Sequence, residues 1–475
     1  MNMTTTIRTA ALAVAMFGLA ANGATIDEVI VRQQWPWSTD VRVEYRVTGV
    51  TDPVDISVAA YDGDTPLDAS RLASSMKGDL FGIAKAGYYS FTIDPVAAFG
   101  TGEIAVMNFN VRLSTTASAA NMTDVLYKVV DLDSGSVTDI TRADFYGNKY
   151  GNFVTNYTAI GADFTTSLQD VLIWTEVTNN PIYKTDKLVM RRIPASSWGS
   201  WTIGAGGNGN SSPSSLNGGE HLVSLSADYY IGVFPVTQAQ CKKIWGTCGA
   251  FYTNEAEFAD HNYKPATGIQ WFKLRSLSSR TDAMNDDPEA ASFCGIVNAK
   301  SGIATAGLKF DLPTEAQWEF AARGGVMDKD LYSGATWGAG AIHTLAWNKD
   351  NILSSATVTS GNAGYDQEQT VAVGRKPPNA FGLYDTLGNA FEHCLDYTDD
   401  AAYSYSATPD VDPKGVARES AATSGSGGSG YKKHIARGGA ISQSRTGCGL
   451  SSRYSFHENE QPKGGGFRLS CTVAE

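Results

Sequence analysis

From Ala24 to about Thr116 apolar and polar residues alternate. Val29 and Val31 begin the pattern, followed by Val41, Val43, Tyr45 and Val47, then Val54, Ile56, Val58 and Ala60. Ala105, Met107, Phe109, Val111 and Leu113 repeat it further on. A period of two is the mark of half-buried strands, and Thr51-Asp52-Pro53 and Asp62-Gly63-Asp64 supply the turns between runs. Short strands at this spacing predict an antiparallel β-sandwich, of immunoglobulin or fibronectin kind, over residues 24–116. Trp35-Pro36-Trp37 is read as a plug at a strand end rather than a ligand platform. Residues 117–184 hold one strand-like run, Val125 to Leu132, and otherwise show no clean period; they are read as a connecting region.

From Lys187 the pattern changes. Lys187-Leu188-Val189-Met190 predicts a strand, and two capping boxes, Thr237-Gln238-Ala239-Gln240 and Thr314-Glu315-Ala316-Gln317, predict helix starts. Gly246 and Gly324 are placed to end those helices. A third helix is expected from Pro288, carrying Phe293, Cys294 and Val297 inward. Trp271, Trp318 and Phe391 read as core. The fold class is therefore α+β, a sandwich followed by a mixed domain over 185–475.

A net charge of -12 with 37 basic residues excludes a nucleic-acid reader, since no dense cationic patch exists to neutralise phosphates. The 49 glycines and the low charged fraction of 18% suit a loop-rich exported protein. Residues 1–23 have the form of a signal peptide, with Arg8, an apolar run from Ala10 to Ala21, and Ala21-Asn22-Gly23 at the cleavage position. No later stretch is long and apolar enough to span a membrane. The expected location is secreted or extracytoplasmic.

The stretch Pro377 to Cys394, PPNAFGLYDTLGNAFEHC, carries the candidate chemistry. Asp385 and Glu392 lie seven apart with Gly388 and Asn389 bending the chain between them. Acidic side chains flanking bent backbone suit calcium, which takes six to eight oxygens including carbonyls. The alternative is a structural turn in which Asp385 bonds its own backbone and Glu392 faces solvent.

This stretch resembles the core motif of the formylglycine-generating enzyme, or sulfatase-modifying factor, family. IPASSW at 193–198, YYIGVFPVTQAQ at 229–240, LPTEAQWEFAARGG at 312–325, RGG at 437–439 and GFR at 466–468 follow the same family order. The resemblance covers about 290 residues and implies an irregular C-type-lectin-like domain with little regular secondary structure. It implies calcium in the turn, held by the side chains of Asp385 and Glu392 and the carbonyls of Gly388 and Ala390. The sandwich is similar, more faintly, to those preceding such domains in secreted bacterial proteins.

All six cysteines fall in the C-terminal domain, and an even number in an exported chain favours disulfides, with 15 pairings open. The resemblance implies a Cys294–Cys471 bridge, and position suggests Cys394–Cys448 and a local Cys241–Cys248. It also implies the enzymes' reaction, in which two cysteines after RGG bind copper(I) and use dioxygen to oxidise a substrate cysteine to formylglycine. The second of those positions is Cys448, the candidate catalytic residue, but the first is Gln443. An amide does not replace a thiolate for a soft ion, so copper is not expected. Ser444 and Ala440 depart from the enzyme pattern as well.

The six histidines lack the spacing of the family's iron-binding branch, and no HExxH, GxSxG or phosphate loop is present. His434, near Arg437, is read as a solvated surface residue rather than a cleft group. Two function classes follow. One is a calcium-stabilised, catalytically silent module that binds a peptide, glycan or protein. The other is an active oxidase of the formylglycine-generating type, or one with altered chemistry at Cys448.

Overall fold

A computed structural model describes residues 23–33, 40–67, 72–80, 82–95, 98, 108–118, 123–146, 153–155, 172–204, 221–248, 260–276, 287–324, 345–351, 370–379, 381–400, 409–423 and 430–473. The chain divides into two compact units, Met1–Asp124 with Thr141–Gly151, and Val125–Ile140 with Asn152–Glu475.

The first unit is the expected sandwich. Strands β1 (Thr25–Gln33), β2 (Val41–Thr48), β5 (Met76–Gly78) and β6 (Gly87–Ile93) form one sheet in the order β1-β2-β6-β5. Strands β3 (Val54–Asp62), β4 (Thr65–Pro66) and β7 (Phe109–Ala117) form the other, in the order β4-β3-β7. The alternation read from the sequence sorts the side chains: Val41, Val43, Tyr45 and Val47 join Val54, Ile56, Phe91, Val111 and Leu113 in one core. The expectations for Trp35, Trp37, Ala105 and Met107 lie outside the described residues.

The second unit is built on a six-stranded sheet of order β16-β22-β15-β12-β8-β9. Here the connecting region proves to be structural: β9 (Val137–Thr141) is an edge strand of this sheet and β8 (Val125–Asp131) is its inner neighbour. β8 pairs antiparallel with β12 (Lys187–Ile193), Val189 opposite Val129, because its run of apolar residues is buried on both faces. The remaining members are β15 (Tyr229–Gly232), β16 (Leu308–Asp311) and β22 (Ser470–Val473). Two small sheets, β10 (Phe153–Thr155) with β11 (Leu172–Trp174), and β13 (Ser200–Ile203) and β14 (His221–Ser224) with β18 (Asp410–Val411), complete the periphery. A four-stranded sheet, β20-β19-β17-β21, carries the motifs: β17 (Phe391–Tyr397), β19 (Lys433–Arg437), β20 (Arg453–His457) and β21 (Gly465–Phe467).

Both capping boxes form. Thr237 and Thr314 each accept from the amide three residues on while Gln240 and Gln317 bond back, and the helices Gln238–Trp245 and Glu315–Arg323 end at left-handed Gly246 and Gly324. The third helix is shorter than expected. It spans Phe293–Asn298, with the Ser292 hydroxyl accepting from the Gly295 amide, so Pro288 stands ahead of it. Ser292 supplies a side-chain cap and Pro288 does not, which sets the start. Phe293, Cys294 and Val297 do point inward, into a core shared with Trp271, Phe310 and Phe467.

Candidate functional site

The Pro377–Cys394 stretch is held at both ends. The Asn379 side chain donates to the carbonyls of Ala321 and Ala322 at the helix C-terminus, at 2.8 and 3.0 Å, and accepts from the amides of Phe381 and Leu383. Its middle is a tight bend: Asp385, Gly388 and Asn389 all adopt the left-handed conformation, with φ of 54°, 72° and 62°. Asn389 fixes it, its side-chain amide bonding both backbone groups of Val371 at 2.9 and 3.0 Å. A Cβ on Gly388 would stand 2.1 Å from the Trp347 carbonyl oxygen.

The motifs that are scattered in sequence meet in one buried ionic network. Arg468 donates from Nε and Nη2 to the two Glu392 carboxylate oxygens at 2.9 and 2.7 Å, and from Nη1 and Nη2 to the carbonyls of Gly232 and Tyr384, both at 2.7 Å. Trp318 Nε1 donates to Glu392 Oε2 at 2.6 Å. Arg437 bonds Glu319 and the carbonyls of Ser452 and Leu450, and Arg453 forks onto Glu315 at 2.7 and 2.9 Å. Every one of these side chains is buried. Sequence reading placed Trp318 in the core but missed the partners of Glu315 and Glu319. The signal was available: two acids one turn apart on a helix whose other buried positions are apolar except Arg323, which itself bonds Glu319 at 2.9 and 2.6 Å.

Glu392 therefore does not face solvent, and the turn is more than a surface loop. Its fit to calcium is uneven. Asp385 Oδ2 accepts from the Gly374 amide at 2.7 Å, while Oδ1 has only the Asn389 amide at 3.5 Å. Burial pushes the Asp385 pKa up to about 6, the sign of a carboxylate short of compensating charge, which a cation would relieve. Glu392 is shared: Oε2 is filled by Trp318 and Arg468, and Oε1 meets Arg468 alone. Asp385, one oxygen of Glu392, the Ala390 carbonyl and the Gly388 carbonyl, which already accepts from the Ala390 amide at 2.8 Å, make up a donor set containing two acids. Among the described residues no group of three or more His, Cys, Asp and Glu side chains is gathered for a metal.

The RGG segment ends β19. Gly438 and Gly439, with φ of 85° and 72°, swing the chain into a loop that returns Cys448 to a pocket beside Gly439, where a Cβ would lie 3.0 Å from Sγ. Cys448 is fully buried among Trp318, Ala346, Leu387 and Leu450, and burial pushes its pKa up to about 12. Its thiol points to the Ala440 carbonyl at 3.6 Å. The Gln443 side chain lies beside Gly447 in this loop, and the Gln443 backbone carbonyl accepts from the Lys349 amide at 3.0 Å.

The six cysteines are free in this structure, five of them buried and Cys248 half-buried. Cys294 and Cys471 share one core, Cys394 and Cys448 another. Cys394 directs its hydrogen to the Glu392 carbonyl, and burial holds both Cys394 and Cys471 far above the ordinary thiol range, favouring the protonated form. The Cys248 side chain hydrogen-bonds Cys241 and, with burial, raises it likewise. His434 is also relocated. It is fully buried, its ring stacked on Trp271 at 3.4 Å between centroids and tilted against Tyr397 at 3.8 Å, because apolar ring faces outweigh its polarity there.

The family model described as sulfatase-modifying factor enzyme 1-like domain matches residues 197–473. The chain belongs to this family. Over 204 residues it is 26% identical to the chaperone protein LppX of Paenibacillus barcinonensis, across 40% of this chain and 67% of that one. Over 104 residues it is 36% identical to the formylglycine-generating enzyme of Streptomyces coelicolor, spanning 22% of this chain and about a third (31%) of the enzyme. Treponema denticola variable protein 1 superposes over 60% of this chain and 95% of its own with a TM-score of 0.40 and 24% identity. For this sulfatase-modifying-factor domain, no helix among the described residues is long and apolar enough to cross a membrane.

Proposed function

We propose that this protein is an exported sulfatase-modifying-factor-domain protein without thiol-oxidase activity, which acts as a binding module for a polypeptide and is stabilised by calcium at the Asp385–Glu392 turn. The observation that carries the loss of activity is the Gln443–Cys448 pair. Where the resemblance requires two thiolates for copper(I), the chain offers one amide and one deeply buried thiol that resists ionisation. The name of the Paenibacillus relative, a chaperone, supports a polypeptide as the bound class.

The second reading is an active oxidase, favoured by the 36% identity to the Streptomyces enzyme and by Cys448 at the expected position. One assay separates the two. The full chain is incubated aerobically with a Cys-x-Pro-x-Arg peptide, copper and reductant, and the peptide mass is followed. No aldehyde product is expected. Product made by the wild type and lost in Cys448→Ala would establish the oxidase. The pairings Cys294–Cys471, Cys394–Cys448 and Cys241–Cys248 are proposed for the exported form, to be read by non-reducing peptide mapping.

A further inference from the structure

The outer face of the sandwich sheet carries a second surface with a chemistry of its own. Because Val41, Val43, Tyr45 and Val47 turn inward, the residues between them and their cross-strand partners turn outward. Register lays these out in three rows: Glu28, Arg46 and Tyr88; Ile30, Glu44 and Ser90; Arg32, Arg42 and Thr92. Within this face lies a hollow of about 340 Å³, walled by Ile30, Arg42, Glu44, Asp79, Tyr88 and Tyr89 among others.

Two features of the hollow point to its occupant. First, Tyr88 is 72% and Ile30 42% exposed, two of the four large exposed hydrophobic side chains among the described residues, and both border this hollow. Single exposed apolar residues need no explanation, but a pair on one concavity does. The Arg46 guanidinium lies 5.6 Å from the Tyr88 centroid and steadies the ring while most of it stays in solvent. Second, the charges cancel locally. Arg42 lies 3.1 Å and Arg32 3.7 Å from Glu44, and Arg46 lies 3.4 Å from Glu28 and 3.9 Å from Asp27. Arg42 reaches the Ser90 hydroxyl at 3.4 Å, and the Ser90 amide donates to Asp79 at 3.2 Å. Such a surface has little net field to attract a polyanion or a polycation. It does present oriented donors and acceptors beside an apolar ring.

We propose that the β1–β2–β6 face binds a neutral saccharide, with a sugar ring stacked on Tyr88 against Ile30 and its hydroxyls bonded by Glu44, Arg42 and Asp79. A sugar ring has one apolar face and an equatorial rim of hydroxyls that both donate and accept, which matches a half-aromatic, charge-paired hollow. This surface lies on the first unit and is independent of the reading given to Gln443 and Cys448.

The test is affinity electrophoresis of the full chain through gels containing a β-glucan, a xylan or a mannan, with heparin and polylysine gels as charged controls. Retardation by at least one neutral polysaccharide is expected. Tyr88→Ala should weaken it tenfold or more, while Tyr88→Phe, which keeps the ring, should bind within about threefold of wild type. Because Tyr88 is exposed, neither variant should unfold the chain, and an unchanged thermal melt verifies this. Unretarded migration in all three neutral gels, retardation only by heparin or polylysine, or equal retardation of Tyr88→Ala would each overturn the proposal.

Discussion

Arg468 makes four hydrogen bonds, using all three of its guanidinium nitrogens, and every partner it has is buried. Removing one member of such a pair is far costlier than the pair's net contribution, since the other charge is left stranded. Arg468→Met should therefore destabilise the C-terminal unit by about 3–5 kcal/mol, read as a lowered midpoint in urea with Glu392 unpaired. His434 makes a different kind of prediction. Burial, with His393 and Arg275 nearby, holds its proton affinity well below the usual value of 6.5, and burial pushes His393 down to about 4. Glu458 faces it at 3.9 Å, and backbone groups of Leu395 and Asp396 approach from the strand alongside. The unfolded chain takes these protons first, so the stability is fully present above about pH 6.5 and is lost as pH falls below it. His434→Phe keeps the flat stack and removes one titration; the decline of melting temperature between pH 7 and 4 should become shallower, with His393 supplying what remains.

The turn stands or falls as an element. Gly388 combines a positive φ with a neighbouring carbonyl 2.1 Å from where a Cβ would sit, whereas Gly307, with φ of 62°, meets nothing within 4 Å. Gly388→Ala should cost at least about 2 kcal/mol and Gly307→Ala about 1 kcal/mol, a difference that compares steric conflict with backbone preference alone. At this scale the sequence was read well where local rules govern. Both capping boxes and both glycine stops lie where their side chains dictate, and the alternation in β2 and β3 predicted the inward set. It was read poorly where distant partners decide. Nothing near Val125–Asp131 announces that its neighbour is β12, more than fifty residues on, so the strand was seen and its unit was missed. Glu392 likewise has its partner 76 residues away, and His434 is buried by rings contributed from two other segments.

For the molecule as a whole, the calcium proposal turns on what the ion would find. An ion bound only by the folded chain adds stability that grows with its concentration. Chelation of metal-loaded protein should lower the melting temperature of the transition that belongs to the C-terminal unit, and Asp385→Ala should abolish the difference. An identical melt before and after chelation would remove the ion from the account.

The place of β22 in its sheet has a consequence for how the protein is made. This strand, Ser470–Val473, lies between β16 and β15 rather than at an edge, and Arg468, two residues before it, anchors Glu392. During synthesis every other described strand leaves the ribosome ahead of it. Until β22 emerges, β15 and β16 keep open ladders on their facing sides and the Glu392 carboxylate lacks its guanidinium. The second unit must therefore wait in an incomplete form that exposes strand edges, the state chaperones recognise, while the sandwich ahead of it has all its strands. Closure of the domain therefore waits on β22 and Arg468 together.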